Sequence, residues 1–154
     1  MAETPEVSEE QLALILQLSR DFAFQQLAEA GHFIPFATQA RPDGETEYVR
    51  VADETTQEPL QDIFKRLQEA LIERVQQGEI IAAATVANVL VEGTGIEVEP
   101  GFEQALCVHV ETAGFSRIVF VPYRVEAADE KDDKPYLVDA KMVAFETDPV
   151  IFAG

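Results

Sequence analysis

Twelve residues near the middle of the chain, Ile80–Val91 (IIAAATVANVLV), carry no charge and constrain everything around them. Glu79 closes the run on one side and Glu92 on the other. Read with period two, Ile80, Ala82, Ala84, Val86, Asn88 and Leu90 fall on one face, and Ile81, Ala83, Thr85, Ala87, Val89 and Val91 on the other. Neither face is polar, so an extended segment here is a central strand needing cover on both sides. Its alanines let a neighbouring layer approach closely. A buried helix is the alternative, since alanine favours helix and short apolar runs do not declare their period. The β-branched content and a helix stop just upstream, Gln76-Gln77-Gly78, favour the strand.

The rest of the chain supplies that cover. Ser8 is placed as an N-cap, with Gln11 in capping-box position and Glu9 and Glu10 in the electropositive first turn. Leu12, Ile15, Leu16, Phe22, Ala23, Leu27 and Ala30 then recur at helical spacing up to Gly31. Leu14, Leu18 and Phe24 widen the apolar arc, as if the helix met a second surface or a second subunit. Phe33–Val51 reads as a hairpin turning at Arg41-Pro42-Asp43-Gly44, with Pro35 pointing to an edge strand or a bulge. Pro59 in a first turn opens a second amphipathic helix through Leu60, Ile63, Phe64, Leu67, Ala70, Leu71 and Val75. Phe102–Glu111 and Phe115–Arg124 alternate about a short turn and form the clearest hairpin. Glu126–Pro135 is a charged loop, and Tyr136–Glu146 a last strand.

No long crossover helices separate the later strands, which excludes a doubly wound parallel sheet. The expected fold is α+β: a mostly antiparallel curved sheet of about six strands in the order α-β-β-α-β-β-β-β, with two helices on one face. One domain spans 8–148, with loose tails at 1–7 and 149–154.

At 154 residues the chain can bury a real core. Twenty-nine acids against eleven bases give a net charge of −18, which repels phosphate backbones and anionic membranes. Nucleic acid and membrane are therefore not expected partners. A single cysteine, Cys107, rules out an intrachain disulfide. The start of the chain has no basic and apolar signal segment, and no stretch is long and apolar enough to span a bilayer. A cytoplasmic protein is expected.

Chemistry-bearing residues are sparse. Cys107 and His109 share one face of one strand, with Glu103 and Glu111 beside them. A metal site would need further ligands from elsewhere, and a Cys–His nucleophile would need an electropositive setting. A semi-buried thiol next to an imidazole is the plainer reading. Glu92, Glu97, Glu99 and Glu103 read as a solvated face, and no phosphate-loop, EF-hand, GxSxG, HExxH or CxxC pattern occurs. No catalytic residue, metal ligand or cofactor is assigned. Tyr123, Arg124 and His109 are the candidate ligand-binding residues, because an aromatic beside an arginine is common recognition chemistry.

Gly31-His32-Phe33-Ile34-Pro35-Phe36-Ala37, the later Gly44, Gly78–Ala84 and Val121-Pro122-Tyr123-Arg124 resemble a group of small bacterial proteins of uncharacterised function. In that group a helix ends in a G-x-F-x-P-F-A hairpin and a later strand ends in P-Y-R. The similarity covers roughly residues 10–146. It implies a bacterial cytoplasmic α+β domain and supplies no catalytic residue.

Two functions from different classes follow. One is a non-enzymatic binding domain acting on a protein partner or as a homodimer. The other is a small-molecule binder or enzyme with a pocket between sheet and helices. The charge alone admits a third, an acidic chaperone or decoy for a basic partner.

Overall fold

The computed structural model describes residues 7–52, 56–126, 136–139 and 142–152. Most of the expected loop 126–135 and of the expected tail 1–7 lies outside them, as do residues 153 and 154 of the expected tail 149–154. Two helices, α1 (Glu9–Ala30) and α2 (Leu60–Gln76), accompany strands β1 (Phe36–Ala40), β2 (Thr46–Val49), β3 (Ala82–Leu90), β4 (Gln104–Thr112), β5 (Phe115–Glu126), β6 (Tyr136–Asp139) and β7 (Val143–Glu146). The sheet is antiparallel throughout, in the order β2-β1-β3-β4-β5-β6, and β7 also pairs with β5. The fold is thus the expected α+β arrangement, with the uncharged central run as its middle strand.

Local chemistry places the boundaries. Ser8 accepts the Gln11 N–H at 3.1 Å, and Gly31, at φ 78°, turns back so that its N–H reaches the Leu27 carbonyl at 2.9 Å. In the first hairpin Gly44 closes the turn onto the Arg41 carbonyl, and Asp43 Oδ1 accepts the Glu45 N–H. β1 is interior, between β2 and β3, and not the edge strand that Pro35 suggested. Pro35 stops one residue short of the ladder, whose first pair is Phe36 with Val86, so its missing N–H breaks nothing.

The last strand is split. From Tyr123–Asp139 to Phe120–Val143, β5 advances three residues (120 to 123) while its partner advances four (139 to 143). The register therefore slips by one residue between β6 and β7, and Pro122 of β5 lies in the interval, unable to donate to the ladder.

The helices do not share a face. Ala82, Ala84 and Val86 of β3 join Phe36 and Ala40 in one core with Ile15, Ala23 and Leu27 of α1. Ala83 and Ala37 point the other way, into a second core with Leu67 and Leu71 of α2. The expectation of both helices on one face is corrected by the strand's own pattern: a run apolar on both sides needs a layer on each. The deeply buried positions of α1 are Ile15, Ser19, Ala23 and Leu27, four apart. Small Ser19 and Ala23 let the helix settle over the alanines, and Ser19 Oγ shares a 2.9 Å hydrogen bond with Thr38 Oγ1 of β1.

Most of the wide apolar arc of α1 is used up inside the chain, with Leu14 left 43% exposed. Leu12, Leu16, Phe22 and Phe24 all pack against the first core. Phe22 meets Phe36 edge-on at 4.7 Å and stacks on Tyr48 of β2, while Phe24 meets Tyr123 of β5 at 5.8 Å. One sheet therefore grips the helix from both sides.

Candidate binding sites

The three candidate residues do not form one site. The β4–β5 register pairs Gln104 with Tyr123 and His109 with Ile118, an odd number of steps apart. Tyr123 therefore lies on the α1 face of the sheet and His109 on the α2 face.

Tyr123 is buried at the end of the first core, with its ring against Phe24. Its hydroxyl lies 2.7 Å from Asn88 Oδ1 and 2.8 Å from Gln104 Oε1, and Asn88 Nδ2 donates to Gln104 Oε1 at 2.8 Å. The hydroxyl has one proton for two acceptors, so the three side chains close a ring with acceptor capacity to spare. Burial, only partly offset by the hydrogen bond to Asn88, pushes the phenol up to about 12, and it stays a neutral donor near neutral pH. Arg124 is exposed, with its guanidinium over the Phe102 ring at 5.0 Å. Tyr123 and Arg124 line a cavity of about 230 Å³ with Gly101, Glu103 and Gln104.

On the opposite face, His109 Nε2 lies 2.7 Å from Ser116 Oγ and 3.7 Å from Glu111 Oε2. Burial lowers the pKa of His109 against the opposing pull of Glu111, which leaves a neutral imidazole near pH 7. Serine, histidine and glutamate here do not make a nucleophile relay. In such a relay the acid holds one ring nitrogen and the serine the other, whereas both groups approach the same Nε2. Glu111 is also engaged elsewhere. It accepts the backbone N–H groups of Val150 at 2.6 Å, Ile151 at 2.9 and 3.1 Å, and Phe152 at 3.3 Å. Residues 150–152, expected within a loose tail, are thus strapped to the sheet, and Ile151 is 2% exposed in the second core.

Cys107 sits two residues away on the same strand face, its thiol pushed up by burial and so poorly nucleophilic. Thr85, paired with His109 across the β3–β4 ladder, has a buried hydroxyl with no hydrogen-bond partner among the described residues. Among those residues no group of three or more His, Cys, Asp or Glu side chains is placed to hold a metal.

No protein family, curated protein or solved structure matches the chain. Its function must therefore be argued from its own surfaces.

The α2 face is unevenly covered. α2 packs chiefly on β1 and β3. Farther out on that face, Cys107, Ile118, Phe120 and Val143 are only partly covered, and Phe145 is 48% exposed, its ring 6.1 Å from that of Phe120. The register puts Phe145 opposite Ile118 and Val143 opposite Phe120, so these side chains form one surface. None of them is charged, on a chain of net charge −18. Sequence reasoning missed this surface because the first helix drew attention as the wider apolar feature. No described helix is long and apolar enough to cross a membrane.

Proposed function

We propose that the protein is a non-enzymatic interaction domain of the bacterial cytoplasm that pairs with a second copy of itself through the outer part of the α2 face. The observation that carries this reading is the uncharged patch of Ile118, Phe120, Val143 and Phe145. An exposed apolar patch on a soluble domain marks a contact surface. A second copy fits better than a basic partner for an electrostatic reason. Two chains this acidic repel each other at distance, and can meet only where acids are absent; a basic partner would seek the acids instead. Sedimentation of wild type and Phe145→Asp at matched concentration tests the reading: self-association in the first and its loss in the second support it. Monomers in both overturn it.

A second reading rests on the cavity at Tyr123 and Arg124. A neutral phenol, the Gln104 amide, the Glu103 carboxylate and the Arg124 guanidinium line it, a mixture suited to a small polar molecule. His109, on the other face, takes no part. A melting-temperature screen with metabolites, repeated on Arg124→Ala, tests this: a shift in wild type that the variant loses supports a site there, and no shift across the library removes it.

A further inference from the structure

The strap at 150–152 is held in a way that does not depend on its being part of the same chain. Three successive backbone N–H groups converge on the Glu111 carboxylate, a main-chain recognition that reads almost no sequence. Two side chains anchor it: Ile151 is buried in the core with Ala37, Ala83, Leu67 and Leu71, and half-buried Phe152 packs against the same core, whereas Val150 is exposed. The link back to the sheet is slight. Residues 147–149 have no regular structure, and Thr147 N–H to the Ser116 carbonyl at 3.3 Å is the last bond to β5. A cavity of about 380 Å³ adjoins the link, lined by Gly114, Phe115, Arg117, Glu146, Thr147 and Pro149 among others.

We propose that the groove between α2 and the sheet, with the buried Glu111 in it, is a receptor for a short bent apolar segment. The chain's own 150–152 fills it in the monomer, and the same segment of a second copy can take its place. Exchange of an element between identical copies keeps every contact and changes only its source. The proposal uses residues apart from the open sheet patch and stands independently of it.

The test uses the full chain carrying Ile151→Asp, whose own strap cannot seat, and a fluorescent peptide of sequence TDPVIFAG, residues 147–154. The peptide is expected to bind this variant by anisotropy, and adding Glu111→Gln is expected to weaken binding by about tenfold or more, as loss of hydrogen bonds to a charged acceptor should. A folded Ile151→Asp chain that ignores the peptide overturns the proposal, as does binding indifferent to Glu111→Gln. Should the variant fail to fold, hydrogen exchange in wild type decides. An Ile151 amide that exchanges well before those of β3 and β4 supports a detachable strap, and one that exchanges only with global unfolding overturns it. A monomer that captures peptide keeps the groove and loses the dimer; a dimer that ignores it does the reverse.

Discussion

Glu111 accepts the Ile151 N–H through both carboxylate oxygens, at 2.9 and 3.1 Å, across 40 residues of sequence. The glutamate is fully buried, and the isoleucine it holds seals the core under α2. Its oxygens are tolerated there because their acceptor sites are filled by backbone donors that would otherwise be buried without partners.

Stability should therefore be sensitive to Glu111. Glu111→Gln turns one acceptor group into a donor facing other donors, and Glu111→Leu removes both acceptors. Urea denaturation is expected to show losses of about 1–3 kcal/mol for the first and more for the second. A change under about 0.5 kcal/mol in both would mean that the strap contributes nothing to the folded state.

His109 sets a pH dependence. Its pKa is lowered in the folded chain by burial, below the ordinary value of 6.5. As pH falls past 6.5 the unfolded chain takes up a proton that the folded chain resists, so stability declines with acidification in that window. The decline precedes any from Glu47, whose carboxyl is held below 4.5 chiefly by the Gln39 amide. His109→Gln, which keeps a polar group near Ser116, is expected to flatten the melting temperature between pH 7 and about 5.5. An unchanged slope would assign the effect to other groups.

The alanines of β3 are a packing requirement. Ala84 is fully buried in the core shared with α1, near the level of small Ser19 and Ala23. Ala84→Leu is expected to cost about 1–3 kcal/mol by overpacking, despite a gain in apolar volume. The same substitution at exposed Ala13 should be nearly neutral. Equal effects at both positions would mean that the helix does not lie close over the strand.

Tyr123→Phe separates stability from binding at the second candidate site. It deprives Asn88 and Gln104 of the hydroxyl and is expected to lower stability by about 1 kcal/mol. Association of copies should not change, because Tyr123 faces α1, away from the open patch. A change in association would put the contact on the wrong face.

Much of this architecture is legible in the sequence because it is local. Ser8, Gly31, the Arg41–Gly44 turn and the β4–β5 hairpin are each specified by residues within a few positions of one another. The separation of Tyr123 from His109 was also within reach. With Ala113-Gly114 alone as the turn, Thr112 pairs Phe115, and counting outward puts Gln104 opposite Tyr123 and His109 opposite Ile118. A three-residue turn hides that register. Other features are not local. Which face each helix takes depends on the path of the chain between α1 and β3, and periodicity within either helix says nothing of it. Glu111 looked like a possible ligand on a strand face, and its true partners lie near the far end of the sequence. The one hint was a carboxylate continuing an otherwise weakly polar face, Ala105, Cys107 and His109. The register slip between β6 and β7 is a property of paired strands, which neither strand's own residues declare.

Light scattering coupled to size exclusion at low and high salt tests the proposed function most directly. The chain mass is 17.0 kDa. Self-association through a neutral patch on a strongly acidic protein predicts about twice that mass, with the dimer favoured as salt screens repulsion between the copies. A mass of one chain at every salt and concentration tried, or a dimer that salt dissolves, would contradict it.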